Sequence, residues 1–189
     1  MQLREKFLTA EEARELLVSA GFPELYLAGR WDEIAKAEQY KRWFYNSYIT
    51  NRSERSVYVW GGVGSGKSTL AGLFALFLRR HFYGEILFTG CSEMISAIYH
   101  QTPASKYKEC PVLIIDDLGK EYHHEYGISR LHEVTEHRYS RLMPTVVTSN
   151  LSQIDLVSKG GLWQSMGDRL RDEKWMMTMK MNRTTRRVP

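Results

Sequence analysis

The sequence predicts an α/β fold: a parallel sheet with helices packed on both faces. Three observations carry that prediction. Strand-like runs alternate with helical segments along the chain. The run PVLIIDDLG is apolar at successive positions, as in a strand covered on both sides. SVYVW breaks into a glycine-rich loop, which opens a segment that is apolar nearly all round, TLAGLFALFLRRHF, as a buried helix would be. With 189 residues, 43% hydrophobic and 25% charged, the chain can build a packed core.

Taken in order, TAEEARELLVSAG reads as a helix. Thr9 is its N-cap, Glu12 completes a capping box and Gly21 closes it. After FPELY and GRWDEIAK a second helix is expected over roughly 32–48. Tyr40, Trp43, Phe44 and Tyr48 recur there at helical spacing. Such a stripe can stack on bases, but core is its more ordinary use. NRSER is a polar turn. Strands are expected at SVYVW, EILFTG, PVLIIDDLG, PTVVTSNL and WMMTMKM. Further helices are expected at CSEMISAIYH and EYGISRLHEVTEHRYSRL, with TPASKYKEC a loop between. The chain thus divides into an N-terminal helical segment, 1–50, and a core, 51–189.

GGVGSGKS, residues 61–68, fits G-x-x-x-x-G-K-[ST] and stands between a strand and a helix, the context a phosphate-binding loop needs. Its glycines allow the N–H groups of Gly62, Val63, Gly64, Ser65 and Gly66 to turn inward. The helix starting near Lys67 adds the positive end of its dipole. For bound ATP, Lys67 is expected to reach the β- and γ-phosphates. Ser68 is expected to ligate Mg²⁺, and Thr69 to lie beside the α-phosphate.

A phosphate loop gives the adjacent carboxylates Asp116 and Asp117 a purpose. Two like charges at the end of a buried strand are otherwise unfavourable. Asp116 fits the place of the residue that holds the Mg²⁺ hydration shell. Asp117 can polarise the attacking water as general base, or cap the next segment. The following strand ends in Thr148, Ser149 and Asn150, where an amide can orient that water.

With GFPELY, GGVGSGKST, LIIDDLG, HRYSRLMPTVVTSNL and GDRLRD in that order, residues from 21 onward resemble the AAA+ core of DnaC/DnaI-type helicase loaders. They are also similar to that family's relative IstB, a transposition helper ATPase. The resemblance implies a P-loop NTPase of the AAA+/ASCE kind. That is a three-layer α/β/α sandwich with sheet order 5-1-4-3-2, ATP hydrolysis, and ring or spiral assembly on single-stranded DNA. It places Lys67 and Ser68 on Walker A, Asp116 and Asp117 on Walker B, and Asn150 on sensor 1. Arg169 falls on the arginine finger, with Arg171 the alternative. A finger acts on a neighbour's ATP, so self-assembly is implied. The second Walker B position is Asp where the family usually has glutamate, one methylene shorter. The fifth strand lies near the end of the sequence, so no C-terminal lid domain is expected. A replicative helicase is the implied partner, and a transposase the alternative. A small-molecule kinase shares the loop motif, but the acidic pair and the late arginines favour an ATPase.

The remaining signals are weaker. Lys120, Tyr122 and His123, with His124, mix cations and aromatics as single-strand binders do. Lys106, Tyr107 and Lys108 do so as well, and the tail NRTTRRVP is arginine-rich. HEVTEH, residues 132–137, spaces its histidines about 140° apart on a helix, which suits a solvated face better than a metal. Arg138 reads as a surface salt bridge or a contact to a neighbouring subunit. Cys91 and Cys110 have no ligand spacing and read as reduced thiols. The net charge of +4 is compatible with a nucleic-acid partner without indicating one. No apolar signal region or membrane span is read, so a cytoplasmic location is expected.

Overall fold

A computed structural model of the chain describes residues 2–34, 36–50, 56–119 and 125–182. The sheet is five-stranded and all parallel: β1 (Ser56–Gly61), β2 (Ile86–Gly90), β3 (Val112–Leu118), β4 (Thr145–Ser149) and β5 (Met176–Met181). Their order is β2-β3-β4-β1-β5. That is the expected 5-1-4-3-2 arrangement read from the other edge. In β3, residues 112–116 are all buried, as the unbroken apolar run required.

Helices cover both faces. The capping box on Thr9 and Glu12 forms as expected and starts α1 (Ala10–Ser19). Next come α2 (Glu24–Leu27), α3 (Ala37–Phe44) and α4 (Lys67–His81), then α5 (Cys91–Tyr99) and α6 (Ser105–Glu109). The chain then forms α7 (Glu125–Ser140), α8 (Gln153–Ser158) and α9 (Gly161–Arg171). None of these helices is long and apolar enough to cross a membrane, among the described residues.

Two local differences from the sequence reading stand out. The second helix is not continuous. Trp31–Glu33 forms a 3₁₀ turn, Ile34 is extended and buried, and Lys36 takes a left-handed conformation before α3 begins. A π-helical stretch, Tyr45–Thr50, then extends α3. The segment expected as a loop at TPASKYKEC contains α6, whose Tyr107 is buried. The aromatic stripe is core: Tyr40, Phe44 and Tyr48 are buried with Leu70, Phe74 and Val57 in one hydrophobic cluster. Residues of α1, α2 and α3 therefore share a core with α4 and the sheet.

Candidate nucleotide site

The site lies at the carboxyl ends of β1, β3 and β4, where open α/β sheets bind their ligands. Gly66 has a φ of 89°, a left-handed value that lets the chain turn straight into α4. The turn buries Lys67, which is 7% exposed. Its ammonium donates to the Gly62 carbonyl at 3.0 Å and to Asn150 Oδ1 at 2.9 Å. The lysine thus spans from the loop that carries it to the tip of β4.

Asp116 is 4% exposed, and two hydroxyls hold it. Ser68 Oγ donates to Oδ1 at 2.9 Å and Oδ2 at 3.2 Å, and Thr148 Oγ1 donates to Oδ1 at 2.5 Å. In a regular strand the side chains of 116 and 117 would leave opposite faces. Here Ile115 pairs with Val147 while Leu118 pairs with Ser149, so β3 carries one extra residue against β4. Asp117 absorbs that bulge at a φ of 61°, and its N–H donates to Thr148 Oγ1 at 2.9 Å. Both carboxylates consequently line one cleft of about 360 Å³, together with Tyr26, Gly90 and Glu93. Ser149 staples the bulge by donating to the Leu118 carbonyl at 2.7 Å.

The groups fit a magnesium–nucleotide ligand. Ser68 uses its proton on Asp116, which leaves hydroxyl lone pairs beside a carboxylate, the hard oxygen set Mg²⁺ prefers. Ser65 Oγ is fully buried inside the loop without a hydrogen-bond partner among the described residues. An unsatisfied hydroxyl in a glycine cradle has capacity for an external acceptor or donor.

Tyr26 is the site residue that the sequence did not single out. Its phenol is pushed above the ordinary range, first by burial and then by the charge of Asp116. The nearby Ser68 hydroxyl opposes that rise. No local signal marks this tyrosine. It reaches the site because α2 packs across α4.

The other expected residues fall elsewhere. Arg169 lies on α9, donating from Nε to Glu136 at 2.9 Å and stacking over Tyr139 at 5.0 Å. The Glu136 bond holds its guanidinium above the usual range. Arg171 on the same helix approaches Asp168 at 4.0 Å. Lys120, Tyr122 and His123, like His124 and the tail arginines, lie outside the described residues. The HEVTEH side chains are engaged in separate contacts: His132 with Ser165, Glu133 with Lys108 and Arg130, Glu136 with Arg169, and His137 with Arg141.

Arg138 overturns the surface reading. It is fully buried and donates to the carbonyls of Tyr107, Lys108, Cys110 and Pro144 and to Thr145 Oγ1, at 2.6–3.2 Å.

Sheet order and site geometry together define a P-loop fold of the AAA+ type. Solved structures agree. The chain is similar to the crystal structure of DnaI, with a TM-score of 0.66 and 20% identity over 85% of this chain and 95% of that one. It is similar to the DnaC helicase loader, at 0.67 and 18% over 85% and 100%. A third likeness is to the replication initiator DnaA bound to AMPPCP and single-stranded DNA, at 0.57 and 14% over 76% and 46%. At these identities the likeness is one of fold. No protein-family model and no curated protein matches the sequence.

Proposed function

We propose that the chain is a Mg²⁺-dependent ATPase of the helicase-loader kind, which assembles with itself on ATP and acts on single-stranded DNA. One observation carries the ATPase reading: Lys67, Ser68, Asp116 and Asn150 converge through direct hydrogen bonds at the mouth of a glycine loop. In this reading the loop amides and Lys67 bind the phosphates, and Ser68 and Asp116 hold Mg²⁺. The metal supplies charge neutralisation on the transferred phosphoryl group. Asp117 accepts a proton from the attacking water, and Asn150 orients that water. Arg169 acts on a neighbour's ATP after exchanging Glu136 for phosphate.

The replication reading draws support from the fold shared with DnaI and DnaC. The DnaA structure shows this fold with AMPPCP and single-stranded DNA in one complex. Lys120, Tyr122 and His123 are proposed DNA contacts, and a replicative helicase is the proposed partner.

The test is the ATPase rate with and without single-stranded DNA, alongside mass in solution with and without ATP. Stimulation by DNA and growth in mass with ATP are expected. A monomer that neither hydrolyses ATP nor responds to DNA would refute the proposal. Arg169→Ala is expected to keep ATP binding and lose about a thousandfold in rate. Mixing it with Asp117→Asn subunits is expected to restore activity. Failure of every mixture would exclude action in trans.

A further inference from the structure

The segment carrying α2 meets the P-loop helix at backbone contact. A Cβ at Gly72 would lie 2.1 Å from the Tyr26 carbonyl oxygen, and one at Gly29 would lie 2.1 Å from Thr69 Cγ2. The two glycines, one on each partner, permit this approach. Phe88 fixes the Tyr26 ring edge-on, with centroids 5.6 Å apart, and the ring lines the carboxylate cleft. The ring thereby shares that cleft with Asp116, close enough that, after burial, the carboxylate's charge raises the phenol. Asp116 receives hydroxyls from Ser68 of α4 and Thr148 of β4, with the Tyr26 phenol of α2 standing beside it in the cleft.

We infer that Tyr26 is a positioning residue for the metal-binding pair, and that through it the N-terminal segment is coupled to magnesium at the site. This rests on reading the site as one for Mg²⁺ and ATP. A carboxylate oriented by hydroxyl donors has its remaining lone pairs aimed, so a cation's water shell meets a preformed acceptor. Thr148 holds one side of Asp116 from within the sheet. Tyr26 flanks it from outside, on a segment that is not a strand of the sheet.

Tyr26→Phe keeps the ring against Phe88 and removes only the hydroxyl. The probe is a fluorescent ATP analogue, whose affinity is measured in EDTA and across a Mg²⁺ titration. The Mg²⁺ concentration giving half of the metal-dependent gain in affinity is expected to rise about tenfold, with the affinity in EDTA unchanged. An unchanged Mg²⁺ midpoint would overturn the inference. So would an equal loss with and without metal, which marks an ordinary packing role. Gly72→Ala, which displaces the Tyr26 carbonyl, is expected to shift the midpoint in the same direction. If the unaltered protein binds no nucleotide in either condition, the parent reading fails and this inference with it. A failure confined to the Tyr26 variant leaves the parent reading standing.

Discussion

Two clusters of buried polar side chains stand at opposite ends of β4, and they differ in how fully their hydrogen bonds are filled. At the start of the strand, Arg138 spends its donors on four carbonyls and the Thr145 hydroxyl. Ser56 closes the same edge by accepting from Thr145 N and donating to the Met143 carbonyl, which Trp175 Nε1 also reaches. At the other end, Lys67 bonds Asn150 and Thr148 bonds Asp116, but Ser65 Oγ has no partner among the described residues. The first arrangement ties α6, α7 and β4 together and has nothing to offer a ligand. The second keeps bonding capacity in reserve. Buried polarity alone therefore does not mark a site; of these two clusters, the one with unspent hydrogen-bonding capacity is the one beside the glycine loop.

The sharpest way to break this contrast is Arg138→Met. Its removal leaves carbonyls of α6 and of the loop before β4 short of a donor. A loss of about 3 kcal/mol or more in unfolding free energy is expected in urea denaturation, with nucleotide affinity of the folded fraction unchanged. Arg138→Lys is expected to recover only part of this, because an ammonium lacks the planar fork that reaches several carbonyls at once.

At the other end of β4 the pattern inverts. Asp117→Asn is expected to lower ATP hydrolysis about a hundredfold while leaving the melting temperature and ATP affinity near those of the parent. Retained hydrolysis would remove Asp117 from the water-activating role. The smallest effect belongs to Ser65→Ala. Deleting an unsatisfied buried hydroxyl is expected to leave stability equal or raise it by up to about 1 kcal/mol, and to weaken ATP binding severalfold. Lost stability without lost affinity would mean that this hydroxyl serves the fold.

Much of this contrast was legible in the sequence, because the phosphate loop and the acidic pair are local patterns. Strand, glycine turn and helix follow one another within residues 56–81, and that proximity suffices to place Lys67 and Ser68. The end of β3 needed more. The bulge that brings Asp116 and Asp117 to one cleft depends on pairing with β4, which residue order alone does not specify. Arg138 shows a different failure. Leu131, Val134, Thr135 and Arg138 are all buried, at the i, i+3, i+4, i+7 spacing of one helix face. The stripe was visible, but charge pointed to the surface, and only the carbonyls gathered by folding make its burial tolerable. Tyr26 lies at the far limit. Its approach to Asp116 is created by the packing of α2 on α4, and no spacing in the chain announces it.

The central claim is that the reserve at the end of β4 belongs to Mg²⁺ and ATP. The most direct test is the melting temperature of the parent and of Lys67→Ala, each with and without saturating ATP and Mg²⁺. At about a hundred times Kd the parent is expected to gain about 5–10 °C, and the gain is expected to fall in EDTA. Lys67→Ala is expected to melt close to the unliganded parent and to gain almost nothing. An equal gain in both proteins, or none in the parent, would contradict the account.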